Sequence, residues 1–351
     1  MSLFRSVVRR STVVVGAAIA LVLVGVGLAA PASACGGLVG ENGSIRLVRT
    51  TTLAGWHDGI EHYVTSFEFT GTGKSVGSII PLPGVPTKVE AAGKWTLQRL
   101  QREVAPVSEV DSRAGLAAAA PQSAQVILQT QVEALDITVL KGGADEVGKW
   151  ALDNGFFLTP DAPEVLDFYA QRSPIFLAAK FDAARAAAQG LNGGDGTPID
   201  ITIPIDRPWV PLRILGLGLP ADTRVQADVF TLTDARPTVL TGSGVSIERS
   251  VAASSQLMND LRSDRNTQWM PQDMWLTHFV VDDSAANLKY DLSAGVAGRA
   301  PSPTAAGYVD ASPIRLPGSG WGLESWLAVV GAVLLVSTAI ARSRRAAVRR
   351  A

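Results

Sequence analysis

The densest chemistry in this 351-residue chain is the run His57-Asp58-Gly59-Ile60-Glu61-His62. Imidazole and carboxylate groups are zinc ligands, and a bound zinc can activate water for hydrolysis. Helical zinc sites set their histidines four apart, so that both rings lie on one face. Here they are five apart, about 140° round a helix, and Gly59 lies between them. On one continuous strand that spacing puts the two rings on opposite faces. Only a turn could bring them together, and the plain expectation is a polar hairpin turn. A metal-dependent envelope hydrolase using His57, Asp58 and His62 is the alternative function. The third histidine, His278, sits in an apolar stretch and is expected to be hydrogen-bonded and partly buried.

Other patterns fail on context. Gly73-Lys74-Ser75 resembles the end of a phosphate-binding loop, but Glu68 stands where that loop needs a glycine. A helix should follow to offer its N-terminus to phosphate, and Val76-Gly77-Ser78-Ile79-Ile80-Pro81 reads as a strand instead. Gly73-x-Ser75-x-Gly77 has the spacing of a nucleophile elbow, which also requires a strand, a turn and then a helix. Asn192-Gly193-Gly194-Asp195-Gly196 with Asp200 could suggest calcium, but the alternation of oxygen ligands is missing, so a turn is expected. Trp209, Trp269 and Trp275 could line a groove, though core or rim packing is the usual role of tryptophan in a β-rich domain. No catalytic, cofactor-binding or metal residue is therefore assigned, and no cofactor is expected.

The two ends of the chain fix where it should reside. Arg5, Arg9 and Arg10 precede an apolar stretch, Ser11 to Ala30, which ends at the small-x-small cleavage pattern Ala32-Ser33-Ala34. At the other end, Ser325 to Ala341 is an apolar run of about 17 residues, about 26 Å as a helix and just long enough to cross a bilayer. Arg342, Arg344, Arg345, Arg349 and Arg350 follow it on one side only, which keeps that side in the cytoplasm. The expected organisation is a signal peptide over 1–34, an extracytoplasmic domain over 35–292, a flexible stalk over 293–320, a transmembrane helix over 321–341 and a basic cytoplasmic tail over 342–351. The expected location is the cell membrane, single-pass, with the N-terminal domain outside.

Two details modify this picture. Cys35, the lone cysteine, would be the first mature residue. It is either a free thiol or a lipidated anchor, and Ala32 replaces the usual leucine of a lipoprotein signal. Leu316-Pro317-Gly318-Ser319-Gly320 resembles a sortase sorting signal, with Ser319 where threonine is expected. A plain transmembrane anchor is the preferred reading.

The formal net charge of −1 hides an asymmetry. Removing the eight terminal arginines leaves 23 basic residues against 32 acidic ones, a net charge of about −9. Such a domain disfavours nucleic acid and other polyanions. With about 285 residues outside the membrane, it can build a sizeable core without disulfides.

Strands are expected over Ser44 to Leu53, Ile60 to Thr70, Ser75 to Leu82, Gln125 to Glu133, Leu135 to Leu140 and Ile175 to Phe181. Further strands are expected over Ile199 to Ile205, Leu212 to Leu217, Arg224 to Leu232 and Trp275 to Val281. Helices are expected over Trp95 to Val104, Ala144 to Asp153, Asp161 to Arg172 and Gln256 to Arg262. Ser293 to Gly320 is rich in Pro, Gly, Ser and Ala, without periodicity, and reads as a linker. Strands and helices do not alternate regularly, so the expected fold is α+β: mostly antiparallel, β-rich, with a few short helices.

Several segments carry a resemblance: Ala34-Cys35-Gly36-Gly37, Pro81-Leu82-Pro83-Gly84-Val85-Pro86-Thr87-Lys88-Val89-Glu90, Leu152-Asp153-Asn154-Gly155-Phe156, Pro211-Leu212-Arg213-Ile214 and Trp275-Leu276-Thr277-His278-Phe279. In this order they resemble the bacterial family called domain of unknown function 2330, over most of Cys35–Tyr290. The resemblance implies an exported protein, often with a C-terminal membrane segment, and brings no activity or site residue with it. The expected function is a membrane-anchored binding or structural module of the cell envelope, with the membrane as its one assigned partner.

Overall fold

The computed structural model describes residues 37–40, 46–70, 75–93, 95–105, 126–188 and 198–309. The signal segment, Cys35, residues 111–124, the turn expected over 192–196, Leu316–Gly320 and the apolar run with its arginine tail lie outside the described residues. No described helix is long and apolar enough to cross a membrane.

The first half of the chain runs β1 (Gly37–Gly40), β2 (Arg46–His57), β3 (Ile60–Thr70), β4 (Ser75–Leu82), β5 (Lys88–Ala91) and α1 (Thr96–Val104). It continues through β6 (Val126–Val132), β7 (Leu135–Lys141), α2 (Ala144–Asp153), α3 (Ala162–Ala170), β8 (Ile175–Asp182) and α4 (Ala183–Ala188). The second half runs β9 (Ile199–Pro204), β10 (Trp209–Val210), a 3-10 turn (Arg213–Gly216), β11 (Arg224–Thr233), β12 (Thr238–Leu240) and β13 (Val245–Ala252). It ends with α5 (Ser255–Arg262), β14 (Trp275–Ser284), β15 (Leu292–Gly295) and α6 (Pro303–Ala306). The fold is α+β, with mostly antiparallel sheets and short helices.

Three sheets form. One is β13-β14-β11-β2-β3-β9-β5, one is β1-β4-β8-β7-β6 and the smallest is β10-β15-β12. Among the described strands every pairing is antiparallel except that of β2 with β11. The seven-stranded sheet is apolar on both faces, because its strands alternate one apolar set with another. Ala54, Tyr63, Ile199, Ile201 and Ile203 join the core that holds the five-stranded sheet, α2 and α3. Leu53, Val64, Phe230, Leu232 and Leu276 face the other way, into a smaller core closed by Leu97 and Leu100 of α1 and Leu257, Met258 and Leu261 of α5.

The β2–β3 hairpin shows local sequence setting register. Its turn is only Asp58-Gly59, with φ of 49° and 81°, the left-handed pair that Asp-Gly supplies in a tight hairpin. His57, expected in the turn, therefore belongs to the strand. Helix α2 stops where Asn154-Gly155 indicates: Gly155 has φ of 80° and the Asn154 side chain donates to the Trp150 carbonyl.

Two expectations are corrected. Leu212–Leu217 is no strand, because its first three amides are taken by side chains and those of Leu215 and Leu217 by the carbonyls of Leu212 and Ile214 in its own 3-10 turn. Asp291 Oδ1 accepts from the N–H groups of Leu212 and Arg213, and the Tyr169 hydroxyl accepts from that of Ile214. The stretch from Ser293 to Val309 is also no stalk. Ser293 and Ala294 are fully buried in β15, the middle strand of the small sheet. Ser302 caps α6 by accepting the Ala305 N–H. Small residues there permit close packing: a Cβ on Gly295 would lie 2.2 Å from the Arg299 carbonyl oxygen. Composition alone cannot separate that from a linker.

Candidate functional site

The hairpin does what one continuous strand could not. His57 pairs with Ile60 and Gly55 with His62, so His57, Gly55 and His62 share one face. The two rings nevertheless have separate partners. His57 Nδ1 lies 2.6 Å from Asp234 Oδ1, and His62 Nδ1 lies 3.1 Å from Asp200 Oδ2. His278 follows the same rule, with Nε2 2.8 Å from Asp228 Oδ1 and its ring stacked on Phe230. Asp58 is exposed at the turn, where its backbone N–H faces Asp234. Glu61 points into the opposite core. Among the described residues no group of three or more His, Cys, Asp or Glu is placed to hold a metal ion. The set His57, Asp58 and His62 is thus not assembled as ligands.

The most elaborate of these corners surrounds His62. Its ring stacks on Trp269 with centroids 4.0 Å apart and planes at 3°. Gly55 makes room for that indole, since a Cβ there would sit 2.2 Å from Trp269 Cη2. The loop bearing Trp269 is held by Asp264, whose carboxylate accepts from the N–H groups of Trp95 and Thr96 and from the Thr96 hydroxyl. Asp264 thereby caps α1 from a distant part of the chain. Asn266, at φ of 62°, donates to the Ala91 carbonyl. Together these contacts fix the indole over the ring.

Behind His62, Asp200 is buried, and burial is the main force raising its carboxyl above the usual range. The hydrogen bond and charge of His62 pull it back down, Glu90 pushes it up and Lys88 lowers it. An aspartate on Nδ1 favours the tautomer whose Nε2 can accept a proton, as a general base does. No serine, threonine or cysteine among the described residues is hydrogen-bonded to His62. The dyad leaves 14% of the histidine side chain exposed. Its evident work is to join β3 to β9.

Two fully buried carboxyls were given no role by the sequence reading. Glu61 is fully buried, its Oε2 accepting the Trp209 N–H at 2.7 Å, and burial pushes its carboxyl up to about 8. Asp291 is also fully buried, and burial pushes it up to about 7 although three donors reach Oδ1. Glu61 had a signal: it alternates with Tyr63 and Thr65 on the inner face of β3, while Ile60 faces solvent. Asp291 had none, because its donors come from far along the chain.

The remaining candidates fall apart in space. Trp209 donates to the Ala305 carbonyl in the larger core, Trp269 covers His62 across the sheet, and Trp275 donates to Ser250 on the neighbouring strand. They do not line one groove. Ser75 opens β4, so a strand follows the glycine-lysine pair. Asp200 faces His62 from within β9.

Comparison with known proteins gives a family and no activity. No curated protein matches the chain. Among solved structures, the crystal structure of baculovirus P35 is similar at a TM-score of 0.36 and 11% identity, over 73% of this chain and 98% of that one. A superposition that loose assigns neither fold nor function. A family model described as an uncharacterized protein conserved in bacteria matches residues 29–238, well over half of the chain. That span holds four of the five motif segments and stops before Trp275–Phe279. The chain belongs to this bacterial family, domain of unknown function 2330.

Proposed function

We propose that the chain is an exported, membrane-anchored module of the bacterial cell envelope, which binds or braces a partner, in preference to a metal-dependent hydrolase built on His57, Asp58 and His62. The observation that carries the reading is the separate commitment of each histidine. His57, His62 and His278 each bond their own aspartate. A zinc hydrolase would need about three such donors converging on one ion, with a position left open for water. The location rests on the charge pattern: arginines before the first apolar stretch, and five after the last on one side only.

The test is protease treatment of intact cells producing the full chain with a tag after Ala351. External protease should digest the domain and spare the tag. A tag lost from unpermeabilised cells would overturn the assigned topology.

A further inference from the structure

Glu61 and Asp291 reach the same segment, Trp209–Gly216, which runs from β10 into the 3-10 turn, from different parts of the fold. Glu61 takes the Trp209 amide. Asp291 Oδ1 takes those of Leu212 at 2.8 Å and Arg213 at 3.0 Å, and the Tyr169 hydroxyl at 2.9 Å. The same hydroxyl accepts the Ile214 amide at 2.8 Å. Three buried side chains thus satisfy amides that a strand would have given to its neighbour. Trp209, Leu212, Ile214 and Leu215 of the segment are themselves buried in the larger core.

Each carboxyl has a second oxygen, Glu61 Oε1 or Asp291 Oδ2, that is buried and has no hydrogen-bond partner among the described residues. Glu61 faces the Trp209 amide and no charged group. Asp291 faces Tyr169 from α3, while Arg172 acts on it only as a charge and Arg213 acts on Tyr169. Neither second oxygen meets a cation at hydrogen-bond distance among the described residues, and the charge of Arg172 only partly offsets the burial of Asp291. An ionised carboxylate buried without a counter-ion is strongly disfavoured, so the closed arrangement suits the neutral acids.

We propose that Glu61 and Asp291 form a proton-dependent clasp on Trp209–Gly216, closed while both carboxyls are neutral and loosened as they ionise. In the open form water reaches both groups and their ordinary acidities return. The closed form then holds protons that the open form would release. Closure is firmest below the ordinary values and weakens as pH rises towards the held ones. For Glu61 the window runs from 4.5 to about 8, and for Asp291 from 3.8 to about 7. Tyr169 is pushed well above its ordinary value, chiefly by burial and then by Asp291, so it stays protonated throughout.

The test is hydrogen exchange of the full chain in detergent micelles from about pH 5 to about pH 9, corrected for the intrinsic pH dependence of exchange. Peptides covering 206–217 should lose protection by about tenfold or more across that range, relative to peptides from the β6–β7 hairpin, which carries neither carboxyl. Glu61→Gln with Asp291→Asn should flatten the profile. Glu61→Gln alone, which keeps an acceptor for the Trp209 amide, should reduce its slope if the double variant does not fold. A flat wild-type profile would overturn the clasp. An equal loss in the hairpin, or a slope unchanged in the variants, would overturn it too.

Discussion

Glu61 and His62 are neighbours in sequence whose side chains serve opposite faces of one sheet. Glu61 holds the Trp209 amide in the larger core, and His62 bonds Asp200 on the other face. A strand has no other option, since successive side chains point to opposite sides. The run that looked most like a metal site is divided by that alternation. What remains together on one face, His57 and His62, is divided again by the two aspartates that claim them.

The glycine opposite His62 is the first place to probe this corner. Gly55→Ala would drive a methyl group into the Trp269 ring, which cannot move without disturbing His62 and the loop over 263–274. The expected cost is about 1–3 kcal/mol, as for overpacking elsewhere. Denaturant unfolding of the full chain in detergent checks it. An unchanged midpoint would mean that the indole does not lie where it is described.

Asp264 offers a second probe, because one carboxylate satisfies two backbone amides and a hydroxyl at the start of α1. Asp264→Ala should cost about 2–3 kcal/mol and should raise amide exchange in α1 before other elements. Asp264→Asn should recover part of the loss, since its carbonyl oxygen can still accept. If alanine and asparagine were equally harmful, charge and not hydrogen bonding would be the dominant role.

The anchor can be read by intact-mass analysis of protein extracted from membranes. A retained apolar helix predicts a mature chain that runs to Ala351. A chain cut within Leu316–Gly320 and joined to wall peptide would establish the sorting-signal alternative. The same spectrum reports on Cys35, since lipidation adds the mass of its acyl groups.

How much of this could be read from sequence follows from the range of the interactions. Alternating patterns and local stops placed β3, β4 and α2 closely, because a hairpin turn or a helix cap is encoded within a few residues. Val245–Ala252 was missed because Arg249 breaks the alternation begun by Val245 and Ile247, at a register shift in the ladder, and pairing with β14 makes it a strand. Leu212–Leu217 looked like a strand because its partners, Tyr169 and Asp291, are invisible to a local pattern. The site was less legible for the same reason: Asp234, Asp200 and Asp228 come to their histidines from strands or turns far along the chain.

The most direct test of the account is the metal dependence of the purified full chain. If the histidines join strands and hold no ion, the protein should carry no stoichiometric zinc and its melting temperature should be unchanged by chelator. His57→Ala with His62→Ala should lower stability by about 1–2 kcal/mol, through the lost stack and hydrogen bonds, and equally with and without chelator. One equivalent of bound zinc, with a fall in melting temperature on chelation that added zinc restores, would contradict the account and favour a hydrolase.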